Sequence, residues 1–274
     1  MLSILLSAVA IYLLLVLAVW VFQERLIFVA AGWGRGAVVP RVEGIVVDHL
    51  PLPAEVNDGE PGRFRIAVSR TPDPRGAIVA FCGNGEDLRS GVHWAAMWRE
   101  YGYAVVVAEF PGYGDSAGAP NAASLRAAAE AAARFARKEL APAGTEVVAA
   151  GSSMGSFCAV HLAAEGLVDR VVLRAPPSSI LEAGQAQYWF LPVAALLRHP
   201  LDNLEPARRA KVPVLVLHGD RDGVVPQRLG RRLADAWGGP SEFVSCEGYG
   251  HNDLPVHRGG PFGQRIAEFL ADGR

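Results

Sequence analysis

The chain has 274 residues, a formal net charge of −2 and 51% hydrophobic residues, with 30 glycines and 19 prolines scattered without a period. That balance excludes collagen-like and disordered chains, which need a glycine repeat or low hydrophobicity with high net charge. The 26 basic residues, all arginine except Lys138 and Lys211, form no basic run, so no nucleic-acid partner is expected. The three cysteines, Cys82, Cys158 and Cys246, stand far apart in apolar or small-residue runs. No CxxC or Cys/His spacing occurs, so neither a disulfide framework nor a zinc site is expected. Each reads as a buried small hydrophobe.

From the N-terminus, Leu2 to Phe22 runs without a charge. As a helix it would be about 31 Å long, matching a hydrocarbon core of about 30 Å. Trp20 and Phe22 fall at its far end, where aromatic side chains prefer the interface, and Gln23-Glu24-Arg25 end it. A cleaved signal peptide wants a basic n-region, a shorter apolar core and a small-residue cleavage site; here the n-region has only the terminal amine, and charged Glu24-Arg25 follows directly. A core helix is rarely apolar on every face for so long. Residues 1–22 are therefore expected to be a single-pass transmembrane anchor, and 23–274 one domain that would be soluble and active without it. Arg25, Arg35 and Arg41 follow the span, and the positive-inside tendency puts the domain in the cytoplasm.

Next come apolar runs of strand length, alternating with helical stretches. The expected strands are Gly44–Leu50, Phe64–Ser69, Ala77–Cys82, Tyr103–Glu109, Glu146–Ala150, Arg170–Arg174, Val212–His218 and Glu242–Cys246. The expected helices are Ser90–Tyr101, Ala122–Leu140, Met154–Glu165, Gln227–Trp237 and Phe262–Asp272. Several strands are apolar on consecutive residues, as parallel strands covered on both faces are. The alternation predicts an α/β fold: a mostly parallel eight-stranded sheet with helices on both faces. Chemistry in such sheets sits at the C-terminal strand ends.

One such end carries Gly151-Ser152-Ser153-Met154-Gly155, a G-x-S-x-G between an apolar strand and a helix. A turn that tight needs near-bare positions two residues either side of Ser153, and it lifts the hydroxyl above the sheet at a helix N-terminus. A serine needs a base, and the base an orienting acid. Two aspartates follow the Val214–Leu217 run, in His218-Gly219-Asp220-Arg221-Asp222. Asp222 is the expected acid, and Asp220 is expected to cap the turn or pair with Arg221. After the last strand, glycines flanking Tyr249 make a loop that can carry His251 to Ser153 as its base. Developing negative charge on a carbonyl oxygen needs preorganised N–H groups. The Met154 amide is one candidate, and the Asn84 amide in Gly83-Asn84-Gly85 the other.

With these pieces the chain resembles the α/β-hydrolase superfamily, and more narrowly its Bem46-like, membrane-anchored branch. Gln23-Glu24-Arg25-Leu26-Ile27-Phe28 matches that branch's Q-x-R-L-I-F, and the likeness runs to about Leu270. Phe110-Pro111-Gly112-Tyr113-Gly114-Asp115-Ser116-Ala117-Gly118 resembles the family's structural R-G-Y-G-x-S-x-G loop, expected to brace the elbow. Where the family has His-Gly-Asn, this chain has Cys82-Gly83-Asn84, which puts the rigidity of that loop in question. The resemblance implies a serine esterase, thioesterase or lipase, with no metal or cofactor.

Residues 176–211 read as a small helical cap, aromatic and apolar at Tyr188-Trp189-Phe190-Leu191 and Leu196-Leu197, facing an acyl substrate that is a small molecule or lipid-like. A serine aminopeptidase-like hydrolase is the alternative within the class; it would need an acidic group for a free amine, such as Glu86 or Glu182. A non-catalytic hydrolase-fold scaffold is the alternative outside it, marked by loss of a triad member. Nothing in the sequence sets an oligomeric state.

Overall fold

The computed structural model describes residues 1–272. The strands are β1 (Ile45–Leu52), β2 (Gly62–Ser69), β3 (Gly76–Phe81), β4 (Ala104–Ala108), β5 (Glu146–Ser152), β6 (Arg170–Arg174), β7 (Val214–Gly219) and β8 (Ser241–Cys246). They form one sheet in the order β1-β2-β4-β3-β5-β6-β7-β8. β2 is antiparallel to β1 and β4; every other pairing is parallel. All eight expected strands are present, with ends shifted by a residue or two.

Consecutive residues of the central strands enter opposite cores. Ala77, Val79 and Phe81 pack on one face of the sheet, Ile78 and Ala80 on the other. The helices are α1 (Leu2–Ile27), α2 (Leu88–Arg99), α3 (Ala122–Phe135), α4 (Ser156–Ala164), α5 (Ile180–Gln187), α6 (Val193–Leu196), α7 (Leu204–Arg209), α8 (Gln227–Asp235) and α9 (Gly263–Phe269). Helices α3, α4, α7 and α8 cover the first face, α2 and α9 the second. Side chains set where helices begin: Asp87 caps α2, and Asn121 with Ser124 forms a capping box on α3. The expected Ala122–Leu140 helix ends as α3 at Phe135, and a widened turn carries the chain to Leu140.

Two regions depart from the sequence reading. α1 does not stop where the charge-free run stops at Phe22 but continues to Ile27. There the chain enters the body: Phe28 and Ala30 are buried, and Ala31 bridges to Tyr113. The stretch 176–211 is also not all cap. α7 belongs to the body, with Asn203 and Ala207 fully buried and Asn203 Nδ2 donating to Ser156 Oγ (3.0 Å) and to the Pro177 carbonyl (2.8 Å). The part that stands over the sheet is α5, α6 and the turns around them.

Candidate active site

The elbow is built by the end of β5 turning into α4. Ser153 sits there with φ +49°, a left-handed conformation that costs a non-glycine residue energy and persists only when its surroundings enforce it. Both flanking glycines are obligatory. A Cβ on Gly151 would lie 2.8 Å from the Gly155 carbonyl oxygen, and one on Gly155 would lie 2.3 Å from that of Phe81.

Asp222 and His251 are brought to Ser153 by the loops after β7 and β8. His251 Nε2 lies 2.9 Å from Ser153 Oγ, and His251 Nδ1 lies 2.7 Å from Asp222 Oδ2. The Asp222 side chain has no solvent exposure. Its Oδ1 accepts the N–H groups of Val224 (2.9 Å) and Val225 (2.7 Å). Burial by itself would raise its pKa. The hydrogen bonds from His218, His251 and the Val225 amide outweigh burial and hold the carboxyl well below the usual carboxylate range. Asp222 therefore stays charged and orients Nδ1–H of His251, leaving Nε2 free to accept from Ser153. Asp220 does something else: it takes the Gly248 N–H at 2.7 Å and closes the turn. His257 also follows β8, but it is exposed and lies against Gly260.

The oxyanion candidates lie on either side of Ser153. Met154 opens the first turn after the elbow, where N–H groups have no intrahelical acceptor. Asn84 follows β3. The loop carrying it is fastened without the histidine that the resemblance would place at position 82. Glu86 accepts the Gly83 N–H (2.5 Å) and the Trp94 indole N–H (2.8 Å). The Asn84 side chain donates to the Ile27 carbonyl and accepts from the Tyr113 hydroxyl (2.7 Å). The Gly112-Tyr113 loop therefore braces Asn84 and the segment following α1. Cys82 is buried, and desolvation, with Glu86, Glu109 and Asp87 nearby, pushes its thiol pKa well up. It is a neutral packing residue. Cys158 and Cys246 are buried and free as well, and burial pushes the Cys246 thiol up to about 12.

Four further residues of the site, His218, Arg174, Glu86 and Trp94, were assigned no part in its catalytic triad or oxyanion hole. His218 is fully buried, with Nε2 2.9 Å from the Val225 carbonyl and 3.2 Å from Asp222 Oδ2. Both neighbours accept, so Nε2 carries the proton, and Nδ1 has no partner. Arg174 ends β6, donates to Ser152 Oγ (3.0 Å) and the Leu254 carbonyl (3.1 Å), and lies over the Trp94 ring. Burial lowers its pKa, offset in part by Glu86, Asp222 and Asp253. Its sequence signal was a charge at the C-terminal end of an apolar strand. Glu86, read from sequence as a possible partner for a free amine, instead fastens the loop, and Trp94 gave no sequence signal.

These groups face a cavity of about 870 Å³, within the size range of ligand pockets. Ser153, His251, Arg174 and Trp94 line its floor, Tyr188, Phe190 and Leu191 its roof, and Leu15 and Val19 of α1 one wall. Gln187 Nε2 ties the roof to the acid loop through the Gly223 (2.6 Å) and Val224 (2.8 Å) carbonyls. Trp189, expected to face substrate, is 84% exposed and turned away. Glu86 lines the cavity, but both its oxygens are engaged by Gly83 and Trp94. Glu182 is engaged by Arg232 and Ser178. Glu182 is not among the residues lining the cavity. Among the described residues no group of three or more His, Cys, Asp or Glu is placed to hold a metal.

Comparison with known proteins agrees with this architecture. Residues 188–274, which include Asp222 and His251, match the family model described as TAP-like protein. The chain is 29% identical over 263 residues to the uncharacterized protein Rv2307c of Mycobacterium tuberculosis, covering 94% of this chain and 90% of that one. It is 25% identical over 209 residues to human alpha/beta hydrolase domain-containing protein 17B, covering 74% and 69%. Among solved structures, Est1E from Butyrivibrio proteoclasticus with ferulic acid bound superposes with a TM-score of 0.62 at 17% identity, covering 81% of this chain and 97% of that one. The Pyrococcus furiosus esterase Pf2001 superposes with a TM-score of 0.62 at 14% identity, covering 85% and 96%. Strand order, elbow, relatives and family match converge: the chain has the α/β-hydrolase fold and is similar to proteins of the α/β-hydrolase superfamily.

Proposed function

We propose that this protein is a membrane-anchored serine hydrolase of the Bem46-like branch that cleaves acyl ester or thioester bonds through an acyl-enzyme. The observation that carries this reading is the hydrogen-bonded chain Asp222–His251–Ser153 at the floor of a largely apolar cavity. His251 Nε2 takes the Ser153 proton as Oγ attacks the carbonyl carbon, and Asp222 stabilises the imidazolium that results. The N–H groups of Met154 and Asn84 receive the oxyanion. The C–O or C–S bond breaks, and the imidazolium gives its proton to the departing alkoxide or thiolate. Water, deprotonated by His251, then attacks the acyl-serine and releases the acid.

The apolar roof favours an acyl chain. Each buried methylene is worth about 0.8 kcal/mol, so kcat/KM rises up to about fourfold per carbon until the cavity is filled. Anchoring rests on α1, long and apolar enough to cross a membrane and with its most apolar stretch packed against nothing that buries it. Arg25, Arg35 and Arg41 favour the cytoplasmic side for the domain.

Labelling with a fluorophosphonate, followed by a chain-length series of nitrophenyl esters, tests the reading. The wild-type protein is expected to label, and Ser153→Ala to lose both labelling and a factor of roughly 10³–10⁶ in kcat. Ester hydrolysis undiminished in Ser153→Ala would overturn the mechanism.

A further inference from the structure

The cap and α1 form a single apolar body. Tyr188 to Leu197 is ten residues without a charge, bracketed by Gln187 and Arg198. Its tip is pinned to the middle of α1, where the Tyr12 hydroxyl donates to the Phe190 carbonyl (2.9 Å). Its base is pinned to the end of the charge-free run. There Gln23, buried within the apolar helix, donates to the Leu196 carbonyl (2.9 Å) and accepts from the Arg198 N–H (2.8 Å). The charges collect at that second level: Arg198 lies over the Trp20 ring, and Arg198 and His199 both approach Glu24.

Tyr12 is the midpoint of the run from Leu2 to Phe22 and stands ten residues, about 15 Å, from its end. If α1 crosses a bilayer with Gln23, Glu24 and Arg198 at its surface, the cap tip reaches the depth of the bilayer centre. Two independent features fit that depth. The exposed side chains at the tip are Tyr188, Trp189 and Phe190, with Trp189 84% exposed. Much of the cap backbone is also paired within the cap: the N–H groups of Tyr188, Leu191, Val193, Ala195, Leu196 and Leu197 find acceptors there. Each of these bonds spares the segment the cost of an unpaired N–H in an apolar medium.

The catalytic cavity shares this depth. Leu15, one of its wall residues, lies eight residues before Gln23, about 12 Å into the span. We propose that the cap segment Tyr188–Leu197 is immersed in the lipid leaflet beside α1, and that substrate, an acyl ester already resident in the bilayer, enters the cavity laterally between α1 and the cap. The proposal rests on the membrane-anchored hydrolase reading and adds the occupant of the cap surface and the route of the substrate. The occupant is lipid because the patch is continuous with the exposed face of the anchor and is bounded by charge at one level only.

The test uses the full-length protein in phosphatidylcholine vesicles. A nitroxide is attached at Trp189→Cys; the three native cysteines are buried and do not compete for the label. Immersion predicts relaxation of the label by oxygen, which partitions into lipid, and protection from a water-soluble nickel chelate. Nickel accessibility would overturn the proposal by placing the tip in water. Protection from both reagents would overturn it too, since a second copy or another protein then covers the tip.

A second arm reads the route. Trp189→Glu puts a charge at the tip without touching the cavity lining. Hydrolysis of an oleoyl umbelliferyl ester dissolved in the vesicles is expected to fall tenfold or more, while acetyl ester hydrolysis and fluorophosphonate labelling stay at wild-type levels. Equal turnover of the bilayer ester by both proteins, or a parallel fall of both substrates, would sink lateral entry. Failure of the wild-type protein to take the fluorophosphonate would instead mean that the hydrolase reading has failed, whatever the spin label reports.

Discussion

Asp222 and Asp220 stand two residues apart and have opposite fates. Asp222 is buried with four hydrogen-bond donors around it; Asp220 holds one amide at an exposed turn. Asp222→Asn is expected to cost far more in kcat than Asp220→Asn, because an amide at this position lets His251 adopt the wrong tautomer. The reverse ranking would show that the acid is Asp220. The same carboxylate sets a pH dependence. Its folded-state pKa lies below the unfolded value of about 3.9, so its contribution to stability is present above that value and is lost as pH falls toward the folded one. Thermal melts of wild type and Asp222→Asn should therefore differ at neutral pH and converge as pH falls below about 4. That Ser153, Asp222 and His251 would meet was legible because each sits at a strand end in a sequence pattern tied to backbone geometry; the oxyanion role of the Met154 and Asn84 amides stays part of the proposed mechanism. His218 was legible only as a strand-terminal residue. Its place against Asp222 depends on Gly230, whose missing side chain leaves room for the ring: a Cβ there would lie 2.1 Å from Nδ1. No local pattern announces that fit.

The elements that the sequence made plain are those whose pattern answers to two-sided burial. Central strands with consecutive apolar residues have one meaning in a chain of this length. The cap helices α5 and α6 were less plain because they have no buried residue; their apolar side chains face a cavity, α1 or solvent, and so lack a helical period. The strand-to-helix elbow offers the sharpest test at this scale. Gly155→Ala places a Cβ 2.3 Å and 2.6 Å from the carbonyl oxygens of Phe81 and Cys82, both backbone. The elbow must open, at about 1–3 kcal/mol or more, and Tm should fall by about 2–4 °C for each kcal/mol. Gly223→Ala meets no atom within 4 Å and should melt within about 0.5 kcal/mol of wild type. A calorimetric scan in which the two variants melt alike would show that the elbow tolerates a side chain.

For the whole molecule, the division into anchor and domain takes on a different meaning. Every motif lies after Gln23, yet Leu15 and Val19 wall the cavity and Tyr12 holds the cap. A protein starting at Gln23 is expected to keep Ser153 labelling and acetyl ester hydrolysis, since the sheet and both cores lie beyond it. The increase of kcat/KM from acetyl to dodecanoyl nitrophenyl esters should flatten, because one wall of the chain site is gone. An unchanged chain-length profile would mean that α1 is a tether and no more. That wall could not be read from sequence, because an apolar residue facing lipid and one facing a cavity look alike. The bond from the Asn84 side chain to the Ile27 carbonyl carries this coupling further. A helix whose apolar length mismatches its bilayer tilts, at a cost of fractions of a kcal/mol per Å. Here the last turn of that helix is fastened to the loop whose Asn84 amide, in the proposed mechanism, receives the oxyanion. On the membrane-anchored hydrolase reading proposed above, tilt at one end becomes displacement at the other, so turnover of one and the same substrate should vary with the thickness of the host membrane, as the reading of a gauge would.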